Sequence, residues 1–218
     1  MLKTGELFDL SHSLAGEYLA EFVHPWEALS GIKQLILDLG AKLGEDYEQQ
    51  SPGVWVHKTA VVAPTAWLGA PCIIGPETEV RHCAFIRGSA LVGAGCVVGN
   101  SVELKNVILF DRVQVPHYNY VGDSILGYKS HMGAGAVTSN VKSDKSLVVV
   151  KNGSEQIPTG LKKFGAMLGD HVEVGCNSVL NPGTVIGRHS NVYPTSCVRG
   201  VIPANCIWKN NGALVEKV

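Results

Sequence analysis

Apolar residues recur at every sixth position of this chain from Val56 onward, and this period limits the fold more than any other feature. The run holds over ten successive positions, and the same register returns further along the chain. The positions are Val56, Val62, Leu68, Ile74, Val80, Ile86, Val92, Val98, Leu104 and Phe110, then Leu168, Val174, Leu180, Ile186, Val192 and Val198. Hydrophobic residues make up 45% of the chain, so an unbroken period of this length indicates a structural repeat.

Small residues accompany this period, four positions after each apolar residue. In the first part of the run they are Ala60, Ala66, Cys72, Thr78, Ala84, Ala90 and Cys96. The pattern predicts a solenoid of short strands, with one apolar side chain pointing inward from each flat side and a small residue at each corner. Three sides make a coil of about 18 residues, and coils stack about 4.8 Å apart so that their backbone groups pair. Cys72 and Cys96 are then packed thiols.

The residues before the repeats are predicted to form a helical segment. Ser13 is suited to cap a first helix and Pro25 to occupy the first turn of a second, because these residue types favour those positions. A polar linker follows at 45–53. The predicted organisation is a helical N-terminal segment with its linker over 1–53, a solenoid over 54–205 and a C-terminal tail over 206–218.

Two stretches interrupt the six-residue period. The first, 116–123, brings His117, Tyr118, Asn119, Tyr120 and Asp123 together. The second, 139–166, has no clear period and contains Lys142, Lys145, Lys151, Lys162 and Lys163. We expect it to be an insertion that projects as a loop or arm, with a short strand at 147–150. Functional residues often lie on such departures from a rigid scaffold.

Composition excludes several classes of function. The formal net charge of −1 gives no electrostatic footprint for nucleic acid or an anionic membrane. The six cysteines form neither a CxxC pair nor a compact framework. The N-terminus lacks an apolar signal region, and no stretch approaches the length of a membrane span. The sequence therefore predicts a cytoplasmic protein with reduced cysteines, and we assign no metal ligands among its candidate site residues.

The stretch around His117 resembles the C-terminal acetyltransferase domain of the bifunctional enzymes that make UDP-N-acetylglucosamine, and their archaeal sugar-1-phosphate nucleotidylyltransferase relatives. Their pattern His-x-x-Tyr-x-Gly-Asp, then Gly-Ala-Gly, then Asn, matches 117–123, 133–135 and Asn140. Upstream, 99–105 reads Gly-Asn-Ser-Val-Glu-Leu-Lys, and Arg87 precedes Glu103 by 16 residues, as in the family. The resemblance covers about 54–205.

This resemblance implies a left-handed parallel β-helix that assembles as a homotrimer, with sites shared between subunits. It implies N-acetylation of an amino-sugar 1-phosphate by acetyl-CoA. His117 matches the general base, a role that suits a neutral imidazole. Arg87 and Lys105 match the cations that hold the phosphate, Tyr120 matches a hydroxyl that contacts phosphate or sugar, and Asn140 matches an asparagine beside the acceptor.

The same resemblance assigns the remaining site positions. Lys163, rather than Lys162, matches the lysine that stands just before the chain rejoins the solenoid. Backbone groups near Gly175, Cys176 and Pro194 match the acetyl-CoA contacts, although the family has small residues where Pro194 stands. The nucleotidylyltransferase half of the bifunctional enzymes has no counterpart in this sequence, so we expect no nucleotidyl transfer.

Two other functions stay open at this point. One is a non-catalytic module that binds a sugar phosphate or sugar nucleotide through the same cationic residues. The other is a metal enzyme similar to the carbonic anhydrases of this fold, since His82 and His117 lie about two coils apart; the third ligand of that class would fall at Gly122. Two site residues also have an alternative interpretation without a role in binding: Tyr120 as an ordinary packing residue and Asn140 as a turn-forming residue.

Overall fold

The computed structural model describes residues 2–217 and is built mainly of short strands. Its strands, in chain order, are β1 (Tyr47–Ser51), β2 (Val54–His57), β3 (Val61–Val62), β4 (Trp67–Leu68), β5 (Cys72–Ile74), β6 (Glu79–Val80), β7 (Phe85–Ile86), β8 (Ala90–Val92), β9 (Val97–Asn100), β10 (Glu103–Leu109), β11 (Gln114–His117), β12 (Tyr120–Leu126), β13 (His131–Met132), β14 (Val137–Thr138), β15 (Val149–Asn152), β16 (Glu155–Pro158), β17 (Ala166–Leu168), β18 (Glu173–Val174), β19 (Val179–Leu180), β20 (Thr184–Ile186), β21 (Asn191–Val192), β22 (Cys197–Val198), β23 (Val201–Ile202), β24 (Cys206–Trp208) and β25 (Leu214–Glu216).

The chain from β2 to β24 winds as a parallel β-helix with three faces, which confirms the predicted solenoid. Face A contains β2, β5, β8, β17, β20 and β23; face B contains β3, β6, β9, β11, β13, β18, β21 and β24; face C contains β4, β7, β14, β19 and β22. The long strands β10 and β12 pass from face C to face A, because each pairs with strands of both faces. Apolar side chains from all three faces fill the interior.

Coil length is the main departure from the regular repeat. Strand partners on neighbouring coils differ by 18 residues at first, as in the pair Val54 and Cys72. Across β10 and β12 the difference falls to 17, as in the pair Glu103 and Tyr120. The missing residue lies between faces C and A, where the regular corner 87–89 is followed by the shorter corners 105–106 and 122–123.

This shortening corrects one position of the predicted repeat. Leu109, and not Phe110, pairs with Val92 and takes its place in the column. Phe110 is still fully buried, and its ring centroid lies 5.1 Å from that of Phe8 in the N-terminal segment. The packed-thiol prediction holds for Cys72 and Cys96, since both are buried and burial raises the pKa of each thiol to about 12.

The N-terminal segment folds as several short helices rather than two long ones. They are α1 (Thr4–Leu7), α2 (Gly16–Ala20) and α3 (Ile32–Gly40), with 3-10 helices at Leu10–His12 and Pro25–Gly31. Ser13 does not cap a long helix; its hydroxyl accepts only from the Ala15 N–H, at 3.1 Å. Pro25 does begin a helix, of the 3-10 type. The helix α3 buries Ile32 and Ile36 and packs against strands of face A.

The linker and the inserted segment are more ordered than a polar sequence suggests. In the linker, β1 pairs antiparallel with β2. In the insertion, β15 and β16 form a hairpin whose Val148 and Val150 are fully buried, and β15 packs against β20 and β23. At the far end, β25 pairs antiparallel with β24. The N-terminal segment and the solenoid share one core, so a boundary at residue 53 stays a prediction. No helix among the described residues is long and apolar enough to cross a membrane.

Neighbouring residues of β19 allow a direct test of the solenoid core. Leu180 is fully buried, whereas Val179 is 38% exposed on the outer surface. We expect Leu180→Ala to lower the free energy of unfolding by about 2–5 kcal/mol, because it leaves a cavity. Val179→Ala is expected to change it by less than about 0.5 kcal/mol. Urea denaturation of both variants measures the difference, and equal losses would contradict the assigned inward and outward positions.

Candidate active site

The predicted substrate-binding residues meet at the corner between faces C and A, which we call the C–A corner. Arg87 lies on the regular corner 87–89, and Lys105 on the first shortened corner, one coil further along. The insertion leaves the solenoid at the same corner, with Asn140 near its start and Lys163 near its end. Residues that are 76 positions apart in sequence (87 and 163) are thus brought to one edge of the prism.

Asp123, on the second shortened corner, holds the C–A corner together. Its side chain is 4% exposed. Lys105 Nζ donates to its two oxygens at 2.8 and 3.0 Å, Asn106 Nδ2 to one at 3.0 Å, and Asn140 Nδ2 to the other at 2.5 Å. Its backbone carbonyl accepts from the Gly165 N–H at 2.8 Å. Because a buried carboxylate is stable only when it is paired and hydrogen-bonded, these partners hold one another in place.

Arg87 and Glu103 form a second pair beside this network. Arg87 Nη1 lies 2.8 Å from Glu103 Oε1, and the arginine side chain is 47% exposed. The hydrogen bond from Arg87 to Glu103, together with its charge, raises the pKa of the guanidinium above its usual value. This bond uses one of the five N–H donors of an arginine. The side chain is therefore oriented by Glu103 and still presents donors toward solvent.

Tyr120 is connected to the Asp123 network through Asn140. Its hydroxyl accepts from Asn140 Nδ2 at 3.2 Å. A side chain at Gly122 would place a Cβ 2.4 Å from the same hydroxyl, so the tyrosine reaches over that glycine toward the corner. Burial raises the pKa of Tyr120, and the charges of Asp123 and Glu103 add to the effect. The phenol therefore stays protonated and available as a donor near neutral pH.

His117 lies at the other edge of face C, where the chain leaves face B. It is the last residue of β11, pairs with Asn100 on the preceding coil, and is exposed. Within residues 2–217 its imidazole has no hydrogen bond or ion pair. The buried Asn119 fixes its backbone: Oδ1 accepts from the His117 N–H at 3.2 Å, and Nδ2 donates to the carbonyls of Gly133 and Ala136 on the next coil.

The positions matched to acetyl-CoA contacts continue the column of His117. The chain repeats the same turn at 133–136, 175–178 and 193–196, with backbone bonds from the Gly135 N–H to the His117 carbonyl and from the Thr195 N–H to the Cys176 carbonyl. A Cβ at Gly175 would lie 2.4 Å from the nitrogen of Pro194. Close stacking of the coils thus requires glycine there, and it leaves Cys176 and Pro194 exposed along the edge.

Lys163 is brought near the site by the backbone alone. Phe164 is fully buried, and its N–H donates to the Asn140 carbonyl at 3.0 Å. Lys162 and Lys163 are exposed, and neither side chain has a hydrogen bond or ion pair among the residues the structure describes. The geometry does not favour one lysine over the other, so the choice of Lys163 stays a prediction.

Sequence reasoning missed the residues that support the site. The motif at 117–123 includes Asp123 without giving it a role, yet its carboxylate contacts both Lys105 and Asn140. The sequence pattern gives no role to Asn106 or Asn119 either. A signal was present for Asn119, because an asparagine occupies a buried corner position in a column of small residues. None was visible for Asn106, whose partner Leu29 is 77 residues away.

The site is exposed at both edges of face C, since Arg87 at the C–A corner and His117 at the opposite edge both reach the surface. A depression of about 460 Å³ adjoins the same edge as His117 and is lined by Val61, His82 and Asn100 among others. His82 is held there by Thr65, whose Oγ1 lies 2.9 Å from Nδ1. Within residues 2–217, no group of three or more His, Cys, Asp or Glu side chains is placed to hold a metal ion.

The chain is similar in sequence to two proteins that are named as bifunctional. The protein named bifunctional protein GlmU of Methanococcus maripaludis strain C5 is 30% identical over 193 residues, which cover 87% of this chain and 44% of the relative. The bifunctional sugar-1-phosphate nucleotidylyltransferase/acetyltransferase of Sulfurisphaera tokodaii is 34% identical over 95 residues, or 44% of this chain and 24% of the relative. This chain therefore spans less than half the length of either relative.

Among solved structures, the acetyltransferase domain of PglB from Neisseria gonorrhoeae with acetyl coenzyme A matches at a TM-score of 0.37 and 14% identity, covering 86% of this chain and 66% of that one. A score this low carries no argument about function. The family model described as the GMPPB C-terminal domain matches residues 71–192. This match spans more than half of the sequence and includes every predicted site residue except Pro194. The chain therefore belongs to the GMPPB C-terminal domain family.

Proposed function

We propose that this protein is an N-acetyltransferase that uses acetyl-CoA to acetylate an amino-sugar 1-phosphate, with glucosamine 1-phosphate as the first candidate. The proposal rests on one observation, the network of hydrogen bonds that connects the predicted substrate-binding residues at the C–A corner. Lys105 and Asn140 share the carboxylate of Asp123, and Asn140 also bonds Tyr120. The relatives named above support it, since one is named bifunctional protein GlmU and the other bifunctional sugar-1-phosphate nucleotidylyltransferase/acetyltransferase.

The corner has the chemistry to receive a phosphate. Arg87 and Lys105 are each paired with a carboxylate and remain partly exposed. An arginine has five N–H donors and a lysine has three, so donors remain for phosphate oxygens after these pairs form. The carboxylates of Glu103 and Asp123 fix the directions of the two cations. Pre-orientation of this kind reduces the conformational entropy lost on binding.

The proposed reaction is a direct transfer. The amine nitrogen of the sugar attacks the thioester carbonyl carbon; the C–N bond forms and the C–S bond breaks. His117 takes a proton from the nitrogen, and this proton then passes to the departing thiolate, so that the products are the acetamide and the free thiol. Asn119 holds the backbone of His117, and a backbone N–H would stabilise the developing oxyanion.

Acetyl-CoA would lie along the edge that continues from His117. The candidate residues are Gly175, Cys176 and Pro194, of which Cys176 and Pro194 are exposed. Because His117 and the C–A corner lie at opposite edges of face C and the site is open, a second copy of the chain would complete the site. A homotrimer with shared sites, a cytoplasmic location and the absence of nucleotidyl transfer all stay predictions.

His117→Ala tests the assigned base. We expect turnover, measured as release of free CoA thiol with acetyl-CoA and glucosamine 1-phosphate, to fall by about 10²–10⁴-fold. Binding of the sugar phosphate should change little. His82→Ala is the matched control, because His82 lies on the same edge and bonds Thr65; it should retain activity. Unchanged turnover in His117→Ala would remove the assignment, and equal losses in both variants would contradict a specific role of His117 as the base.

Arg87→Ala tests the phosphate site. Loss of the guanidinium should raise KM for the phosphorylated acceptor and leave KM for acetyl-CoA unchanged, since only the acceptor carries the phosphate. Arg81→Ala is the control, because Arg81 forms a similar half-exposed pair with Glu79, at 2.9 Å on face B. A rise confined to the KM for acetyl-CoA would contradict the role. Lys105→Ala is a less clean test, since it leaves the buried carboxylate of Asp123 without its cation.

Binding and turnover measurements also distinguish the non-catalytic binding module from an acetyltransferase. Pro194 stands where the resembled family has small residues, and its ring is exposed on the edge proposed for acetyl-CoA. A module that only binds would take up glucosamine 1-phosphate, lose that binding in Arg87→Ala, and release no CoA thiol with any amino-sugar 1-phosphate. Calorimetric binding beside the thiol assay distinguishes the two functions.

A further inference from the structure

We infer that Asn106 is a positioning residue, through which the N-terminal segment sets the geometry of the acceptor-phosphate site. The inference rests on the proposed function, because it concerns the same corner. Asn106 is half-buried on the shortened corner next to Lys105. Its single carboxamide nitrogen donates in two directions: to Asp123 Oδ1 at 3.0 Å and to the carbonyl of Leu29 at 3.2 Å.

The amide of Asn106 uses both of its hydrogens in this bridge. A carboxamide nitrogen has two N–H donors, and each has one acceptor here. Leu29 belongs to the 3-10 helix Pro25–Gly31 and is buried. The carboxylate that orients Lys105 and Asn140 is therefore tied directly to the N-terminal segment. A displacement of that helix would move or break the bond to the Leu29 carbonyl, and this bond orients the same amide that donates to Asp123.

The backbone explains why an asparagine stands at this position. Asn106 has a φ of 55°, in the left-handed region. Among residues with side chains, asparagine adopts this conformation more readily than most. Glycine would adopt it equally well but would bring no donor. The position thus requires both a tolerated positive φ and an amide that reaches two acceptors.

A second contact from the same helix reaches the opposite side of the corner. Trp26 is 2% exposed, and its ring centroid lies 5.8 Å from that of Phe164, in a stacked arrangement. The Phe164 N–H donates to the carbonyl of Asn140, whose side chain bonds Asp123. The helix therefore supports the Asp123 network from two sides. One contact runs through Asn106 and the other through Phe164 and Asn140.

The inference predicts how two substitutions of Asn106 change KM for the acceptor. Asn106→Gly keeps the positive φ and removes the amide, so KM for glucosamine 1-phosphate should rise about ten-fold with kcat within about two-fold. Asn106→Asp keeps the size and shape of the side chain but turns its donor into an acceptor facing Asp123 and the Leu29 carbonyl. Its rise in KM should exceed that of Asn106→Gly, because two carboxylates then face each other.

Matched controls are offered by Asn205, which also has a φ of 55° and is exposed on the last coil. Asn205→Gly and Asn205→Asp should leave both kinetic constants unchanged. If Asn106 served only the backbone conformation, Asn106→Gly would leave KM for glucosamine 1-phosphate unchanged, because glycine adopts the same φ. Unchanged KM in Asn106→Gly would therefore overturn the inference.

Hydrogen exchange of the full chain without substrate gives a readout that does not depend on activity. In Asn106→Gly we expect faster amide exchange in both 24–31 and 120–126 than in the parent protein, since the bond between these segments is lost. Exchange elsewhere in the solenoid should not change. If exchange changes as expected but no CoA thiol is released by the parent protein, the proposed function fails while the coupling stands. Unchanged exchange in both segments would refute the coupling whatever the activity.

Discussion

Backbone pairing between successive coils is the constraint on which this structure depends. Each short strand finds its N–H and C=O partners only in the coils before and after it, and a buried backbone group without a partner is costly. The pairing strands therefore cannot change length, and any residue gained or lost must fall at a corner. The departures from the regular coil obey this rule. Two corners between faces C and A lose one residue each, the insertion enters at the same corner one coil later, and the connection from β22 to β23, counted between paired residues, is two residues shorter than that from β19 to β20.

The candidate site occupies that irregular corner, and a shorter turn has a direct chemical effect. With two residues in place of three, Lys105 is followed by Asn106, and Gly122 by Asp123, each of the second residues at a positive φ. This geometry turns Asp123 inward, where its carboxylate is buried. A buried carboxylate attracts donors from several elements, and these donors come from the solenoid and the insertion. The polar network is thus a consequence of the irregular turn, because the turn buries the carboxylate that the network surrounds.

Electrostatics in the site are nearly balanced within the chain itself. Arg87 pairs with Glu103 and Lys105 with Asp123, so the corner holds directed cations without a large uncompensated charge. A phosphate would compete with partners already present, which favours selectivity by geometry over tight binding by charge alone. The N-terminal segment adds to this geometry, because it shares a core with the solenoid and contacts the network through Asn106. In this structure it is part of the site's framework.

The sequence by itself determined the solenoid, since a period of six with small residues four places later has one packing solution. It also singled out His117, Tyr120 and Asn140, because these residues lie where that period breaks. The structure brings Tyr120 and Asn140 together and leaves His117 at the other edge of face C. The sequence placed one inward position wrongly: the loss of one residue moves Leu109 into the place predicted for Phe110. It also failed to show the inward turn of Asp123 and the bond from Asn106 to Leu29. Local pattern fixes which side chains face inward, but contacts between residues 77 positions apart exist only once the coils and the N-terminal segment have packed, so tertiary structure alone decided them.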